Sequence, residues 1–201
     1  WKNLSGEERT ILDAQLAGGF QVYLTSSAGR LFDAVSAILG ICTEVTYQGQ
    51  AAIELESKAV SWLREINERR SGQEEFSVYD FEGMEVRELK KEASARIKLL
   101  KELLEEYGGS AISSVDKEEI INRYARNAES LVKNLFPFEF GYKAGVLQLK
   151  PGRLLKSLVR EILEGSQVEK TAFRFHLSLA CAILEAALLI KPDNRDIFLG
   201  G

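Results

Sequence analysis

Apolar residues recur every three or four positions along most of this chain, and this spacing constrains its fold more than any other feature. The clearest run lies between Asp116 and Pro137, where the apolar side chains share one face of a helix. The same spacing predicts further helices at 28–39, 51–69, 87–107 and 168–190, and after Ser5 and Pro151, which are typical of helix starts. The chain is therefore expected to be mainly α-helical.

Short alternating segments interrupt the helical pattern. Residues 76–86 alternate around a Glu82-Gly83 turn, and residues 138–149 alternate around Lys143-Ala-Gly145, so each is predicted to form a small β hairpin. Brief extended segments are expected at 20–24 and at 197–199. The fold class predicted from these patterns is mainly α with small β hairpins.

The composition is typical of a soluble globular protein, with 45% apolar and 28% charged residues. The 201 residues suffice for one domain with a sizeable core or for two small ones. The net charge is −4 and the basic residues are scattered among acidic ones. A nucleic-acid-binding surface is therefore not favoured.

Cysteine and histidine usage excludes several kinds of site. Cys42 and Cys181 lie far apart and outside any CxxC motif, so we expect neither a disulfide framework nor a cysteine-based zinc site. His176 is the only histidine, which excludes a metal site that needs two histidines from this chain. The cysteine usage makes the cytoplasm the default location, and residues 1–20 show no secretory pattern. The apolar stretch Leu177–Ile190 has 14 residues and contains a glutamate, which predicts a buried helix rather than a membrane span.

The segment Thr25–Gln50 contains the most informative polar pattern. A polar entry bearing Gly29 leads into an apolar helical stripe, and a second glycine turn follows at Gly49. Asp33 lies just inside the helix, where a carboxylate near free N–H groups suits the binding of a ribose or an anion. An ordinary capped helix has the same layout, so the pattern alone leaves both interpretations open. The sequence contains no Walker loop, dinucleotide fingerprint, or nucleophile with a histidine base.

Four stretches resemble the hydrogenase maturation carbamoyltransferases, the HypF family, in the same order along the chain. The most specific is TSSAGRLFDAVSAILGI at 25–41. It is followed by YQGQAAIELE at 47–56 and by AFRFH at 172–176. The last stretch, IFLGG at 197–201, resembles a strand entering a glycine loop of the family.

The resemblance covers residues 1–66 and roughly 133–201. It implies the helix-rich part of an incomplete actin-like ATPase (ASKHA) lobe within a carbamoyltransferase. Residues 67–132 match no family segment and are predicted to be a helical insertion. The chain begins at Trp1 without a methionine and ends in the apparent glycine loop, so we expect a fragment of a larger protein.

The family resemblance implies a carbamoyltransferase activity of the full-length protein, with ATP and carbamoyl phosphate as substrates. In the family, the carbamoyl group passes from carbamoyl-adenylate to the C-terminal cysteine of a HypE-like partner, in cyanide-ligand synthesis for [NiFe]-hydrogenase. The family metal site requires an upstream histidine pair and a downstream aspartate, so iron or zinc is expected only in the full-length protein. This segment is expected to hold no catalytic residue and to be inactive alone.

Matching residue by residue, the resemblance implies a nucleotide site. Asp33 matches the carboxylate that binds the ribose hydroxyls, and Gly29 matches the glycine that lets the backbone approach the nucleotide. Gly49 matches a turn glycine of the same pocket, and Gly200 and Gly201 would begin the loop near the phosphate and base.

Other interpretations remain open at this stage. Asp33 could be a carboxylate that only stabilises its helix, and both Gly29 and Gly49 could be simple turn formers. His176 is expected to be a structural histidine packed within its helix. The alternative functions are a non-catalytic helical interaction module that docks through 67–132, and a relative of the tRNA threonylcarbamoyladenosine synthases, which share the Gly-x-x-x-Asp pattern.

Overall fold

The chain folds into seven helices and one hairpin within the residues that the computed structural model describes, which are 5–20, 25–71, 84–108, 113–131, 133–143 and 146–190. The helices are α1 (Gly6–Gly18), α2 (Ala28–Ile38), α3 (Gln50–Ser71), α4 (Met84–Glu106), α5 (Ser114–Glu129), α6 (Gly152–Leu163) and α7 (Val168–Ile190). The strands β1 (Glu139–Lys143) and β2 (Val146–Lys150) pair antiparallel, with Glu139 opposite Lys150. The mainly α class with a small hairpin is confirmed.

Several helix ends agree with their sequence signals. At α1 the Ser5 hydroxyl accepts a hydrogen bond from the backbone N–H of Glu8, and the Glu8 carboxylate accepts one from the N–H of Ser5. This is the predicted capping box. Helices α2 and α6 end just before Gly40 and Gly165, which have φ angles of 69° and 79°. A positive φ favours glycine, so the two glycines explain where these helices stop.

Helix α7 is the centre of the packing. Its Ala172, Phe175 and Ala182 are buried in one cluster with side chains of α2, α3 and α6. Its Leu189 is buried in a second cluster with α4 and α5. The hairpin lies between the two clusters, because Phe140 packs against both.

By length and composition alone, α7 could also cross a membrane, since its most apolar window has a mean hydropathy of 1.7. It nevertheless contributes to both apolar clusters. It also carries Glu185, which is fully buried and pairs with Arg96 of α4 at 2.8 Å between Oε2 and Nη2. These contacts are those of a core helix in a folded domain.

The buried face of α4 agrees with the predicted one only in part. Of the apolar stripe that the spacing of 87–107 predicts, Leu89, Leu100 and Leu104 are buried, but Ala93 and Ile97 are only half-buried. The buried positions beside them are taken by Glu92 and Arg96, at 8% and 2% exposure. A hydrophobicity pattern assigns charged residues to solvent, and it therefore misses charges that find partners inside the fold.

The second half of the predicted hairpin at 76–86 is wrong, because Met84 and Val86 lie in the first turn of α4. Val86 is buried against Trp62 and Leu63 of α3. Helical packing against α3 therefore overrides the local alternation that favoured a strand. The rest of that hairpin lies outside the described residues, as do Val22, Leu24 and the strand at 197–199.

Helix α5 differs from the prediction at both ends. Its N-cap is Ser113 rather than Asp116, and Asp116 accepts back from the Ser113 N–H to complete a capping box. Its last residue is Glu129, well before Pro137. The three N–H groups of Lys133, Asn134 and Leu135 instead donate to the Glu92 carboxylate, at 3.1, 2.8 and 3.1 Å.

The segment after α5 is also held by α7. The Phe136 N–H donates to the Ser178 hydroxyl at 2.8 Å, and the Arg174 guanidinium lies 4.5 Å from the centre of the Phe136 ring. Arg174 further donates to the Asn134 carbonyl and to Glu161 of α6. The status of 67–132 as an insertion stays a prediction, but its α4 and α5 pack directly on α7.

Candidate nucleotide-binding cleft

The sequence-predicted residues Gly29, Asp33 and Gly49 line one cleft of about 550 Å³. One wall is the first part of α2, which also contributes Ser27 and Arg30. The opposite wall is the loop 45–49, and Ala52 of α3 lies between the two walls. The volume lies within the range of small-molecule sites.

The α2 wall contains a helix start that no side chain caps. Ser27 is the N-cap residue, but its side chain makes no capping hydrogen bond. Its own N–H donates to the Thr25 hydroxyl at 3.2 Å. Since the first N–H groups of any helix lack intrahelical partners, those at the start of α2 are open to an external acceptor.

Asp33 lies one turn further along α2 and retains acceptor capacity. Its Oδ2 accepts from Nη1 of Arg30 at 2.9 Å, and its side chain is 36% exposed. Among the described residues, Oδ1 of Asp33 has no hydrogen-bond partner. The Arg30 side chain is 69% exposed, so this pair contributes little to stability.

The opposite wall is held in shape by Gln50. Its Oε1 accepts from both the N–H and the hydroxyl of Thr46, at 2.7 and 3.1 Å, and its Nε2 donates to Glu54 at 2.8 Å. Tyr47 is 53% exposed at this wall. These contacts fix the loop on the first turn of α3.

The two glycines of the cleft differ in the reason for their presence. Gly49 has a φ of 83°, which by itself requires glycine. Gly29 is helical, and a Cβ there would meet only the Ser27 Oγ, at 3.5 Å. Neither conformation nor packing therefore demands glycine at Gly29, whereas its position in the cleft wall does keep the space beside the backbone open.

The comparisons with known proteins agree with the sequence resemblance. A family model described as the carbamoyltransferase Kae1-like domain, second subdomain, matches residues 1–100. The probable carbamoyltransferase HypF of Methanocaldococcus jannaschii is 44% identical over 63 residues, or 31% of this chain and 8% of the relative. The HypF carbamoyltransferase of Rhodobacter capsulatus is 58% identical over 50 residues, or 24% and 7%. This chain belongs to the HypF carbamoyltransferase family.

A third relative, the HypF carbamoyltransferase of Synechocystis, is 51% identical over 45 residues, or 22% of this chain and 6% of the relative. Matched segments thus span less than a tenth of the length of these HypF relatives. No solved structure matches the chain. The family match includes all residues of the cleft lined by Gly29, Asp33 and Gly49, which we call the α2 cleft. The match extends to residue 100, into the segment predicted to be an insertion.

The remaining residues predicted for the HypF nucleotide site, Gly200 and Gly201, lie outside the described residues. Arg30 and Tyr47 also line the cleft. From the sequence, Arg30 is either a phosphate contact or a member of a surface salt bridge, and Tyr47 is given no role. Both residues occur within the HypF-like motifs, which is the available signal for Tyr47.

His176 is half-buried and packs between α2 and its own helix, α7. Its Nδ1 lies 2.8 Å from the Ala172 carbonyl oxygen, one turn earlier in α7. Its ring contacts those of Phe32 and Phe175, with centroids 5.7 and 5.5 Å away. The histidine therefore helps to hold α2, which carries Asp33, against α7.

Neither cysteine is activated. Burial, followed by the nearby Glu54 carboxylate, raises the pKa of Cys42, whose thiol donates to the Glu44 carbonyl. Burial and the Glu185 carboxylate raise the pKa of Cys181 to about 12. Both remain thiols at neutral pH, which does not suit a nucleophile. Within the described ranges, no three His, Cys, Asp or Glu side chains are grouped to hold a metal ion.

Proposed function

We propose that the α2 cleft binds the nucleotide part of carbamoyl-adenylate in a HypF-type carbamoyltransferase. The observation that carries this proposal is the meeting of Gly29, Asp33 and Gly49 in one cleft, although Gly49 lies 16 residues beyond Asp33 (49 − 33). Membership of the HypF carbamoyltransferase family supports it. An actin-like ATPase fold for the complete lobe is part of the same proposal.

The ribose is assigned to Asp33. A carboxylate can accept hydrogen bonds from two adjacent hydroxyls, and such charge-assisted bonds are stronger than neutral ones. Oδ1 is available for this purpose, and Arg30 at 2.9 Å holds Oδ2 in place. The side chain is then positioned before the ligand arrives.

The phosphate is assigned to the start of α2. The open N–H groups after Ser27 and the positive end of the helix dipole favour an anion there. Gly29 permits close approach, and the exposed Arg30, whose charge is shared with Asp33, lies at the same wall. Gly200 and Gly201 are proposed to complete this site from the end of the chain.

The proposed acceptor of the carbamoyl group is a thiol of another protein. We propose that the C-terminal cysteine thiolate of a HypE-like partner attacks the carbamoyl carbon. A C–S bond forms, the C–O bond to the phosphate breaks, and AMP leaves with the electron pair. The cytoplasm is the proposed location. Iron or zinc is proposed to be held in the full-length protein by the upstream histidine pair and the downstream aspartate that the family resemblance implies.

Replacing Asp33 with alanine should weaken nucleotide binding by about 1–3 kcal/mol, because the ribose hydroxyls lose a charged acceptor. The measurement is an AMP titration of the full-length protein, with hydrogen exchange in the peptides that cover 25–50 as the readout. Asp13→Ala on the exposed α1 is the matched control and should leave AMP binding unchanged. An Asp33→Ala protein with wild-type affinity would remove Asp33 from the site.

Replacing Gly49 with alanine should lower the free energy of unfolding by about 1–2 kcal/mol, since a Cβ disfavours its positive φ. It should also weaken AMP binding, because the loop 45–49 forms a cleft wall. Gly40→Ala is the matched control, with a similar φ of 69° outside the cleft lining. It should cost similar stability and spare AMP binding. Equal AMP affinities of the two variants would contradict the assignment of Gly49 to the wall.

A further inference from the structure

Arg96 of α4 has hydrogen-bonding capacity that the fold does not use. Its side chain is 3% exposed and its Nη2 donates to Glu185 at 2.8 Å. Its Nε and Nη1 are buried and have no hydrogen-bond partner of normal geometry, although the Tyr124 hydroxyl lies near enough to act on the guanidinium. Burial is the strongest single influence and acts to lower the pKa of Arg96. Glu185, Tyr124 and Cys181 together raise the pKa by more, so the guanidinium stays charged. Buried donors without acceptors are rare and require an explanation.

A cavity of about 470 Å³ adjoins Arg96. It is built from α4, α5, the segment 137–140, β2 and α6, and therefore shares no element with the α2 cleft. Tyr124 of α5 also lines it, at 1% exposure, and its hydroxyl is buried without a hydrogen-bond partner of normal geometry. That hydroxyl lies close enough to Arg96 and Glu185 for their charges to act on it in opposite directions.

The fold also directs a second cation to this cavity. The Lys150 side chain lies across Gly141 of the paired strand, where an added Cβ would come within 2.8 Å of Lys150 Cε and 2.9 Å of its Nζ. The missing side chain at Gly141 thus gives Lys150 its path over β1. Lys150 and Arg153 both line the cavity.

The charges around the cavity favour an anion. Arg96 is balanced by Glu185, and Glu139 lies 3.9 Å from Arg153, which leaves Lys150 as the net positive charge at the opening. The walls are otherwise apolar, with Ala128 and Phe138 buried beside the cavity. A bare inorganic ion would contact only the charged side.

We propose that this cavity binds a small organic oxyanion, a phosphate or carboxylate on an apolar body. The oxyanion accepts from Arg96 and Tyr124 and is paired with Lys150, while the apolar body fills the side of the cavity formed by Ala128 and Phe138. Guanidinium donors suit oxyanion geometry, and the cavity volume is that of a small-molecule site. The site is separate from the proposed adenylate cleft and independent of it.

The test is hydrogen exchange of the full-length protein in the presence of phenyl phosphate, benzoate or phenol. Phenyl phosphate or benzoate should slow exchange in the peptides covering 133–153, and the tighter of the two identifies the oxyanion. Neutral phenol should not slow it. Absence of protection by both anions at millimolar concentration overturns the proposal.

Two mild variants locate the bound anion without disturbing the core. Lys150→Gln and Gly141→Ala should each raise the apparent Kd by about fivefold to tenfold, because the first removes the ammonium and the second displaces it. Lys101→Gln is the control, since Lys101 lines a different groove of α4. It should leave the Kd unchanged, as should Asp33→Ala in the adenylate cleft. Equal Kd values for wild type, Lys150→Gln and Gly141→Ala overturn the site.

Arg96→Lys keeps a positive charge beside Glu185 but removes the two open guanidinium donors. Circular dichroism shows whether the Arg96→Lys variant folds. A folded variant should bind the anion at least about tenfold more weakly than the wild type. Should it fail to fold, the Lys150 and Gly141 variants still decide the question.

Discussion

Replacing Glu185 with alanine is expected to lower the free energy of unfolding by about 3–5 kcal/mol, since it leaves a buried guanidinium without its counter-charge. Glu185 is fully buried, and both its carboxylate oxygens are used. Oε2 accepts from Arg96 at 2.8 Å and Oε1 accepts from the Cys181 thiol at 3.1 Å. The loss would remove the charged contact between α4 and α7 and leave only their apolar contacts.

The measurement is equilibrium unfolding in urea, with Glu105→Ala on the exposed face of α4 as the control. The control should change the free energy of unfolding by less than about 0.5 kcal/mol. The double variant Arg96→Met, Glu185→Leu should be more stable than Glu185→Ala, because it removes both charges and fills the space. A single Glu185→Ala variant as stable as the control would show that the pair is not needed.

Replacing Glu92 with alanine should lower the free energy of unfolding by about 2–4 kcal/mol, as three backbone N–H groups lose their acceptor together. Those of Lys133, Asn134 and Leu135 donate to this one carboxylate within 3.1 Å. Leu135 is buried, so water cannot replace the lost acceptor there. Water can reach the two exposed residues, which keeps the expected loss below the sum of three buried groups.

Hydrogen exchange gives the most specific readout for Glu92→Ala. The amides of 133–135 should exchange faster relative to those of α7, since the carboxylate no longer protects them. Glu102→Ala is the matched control on the same helix, because Glu102 is 60% exposed and 3.7 Å from Lys98. Equal destabilisation by the two substitutions would contradict the role of Glu92 as the acceptor for these three N–H groups.

Glu92 also explains how far the fold could be predicted from the sequence. Helices α1, α2, α3, α6 and α7 follow from local periodicity and local stop residues such as Gly40 and Gly165. The early end of α5 depends on an acceptor 41 residues away in sequence, which no local pattern contains. Likewise, Val86 is helical because it packs on α3 rather than because of its immediate neighbours.

The cleft beside α2 and the cavity beside Arg96 also differ in how far the sequence predicts them. Gly29, Asp33 and Gly49 were predicted from family motifs, and the fold brings them into one cleft. Arg96 was assigned to no site, because a charged residue in a helix rich in Lys and Glu is expected to face solvent. Arg96 can be buried only because Glu185 of α7 lies beside it. A sequence pattern cannot pair two charges that lie 89 residues apart.

If Asp33 binds the ribose of an adenylate, as we claim, its carboxylate and the ribose hydroxyls must be energetically coupled. AMP and 2′,3′-dideoxy-AMP are titrated into the full-length wild-type protein and its Asp33→Asn variant, with exchange in 25–50 as the readout. We expect removal of the hydroxyls to weaken wild-type binding about tenfold or more, and Asp33→Asn binding by less than about threefold. The same loss of affinity in both proteins would contradict the claim.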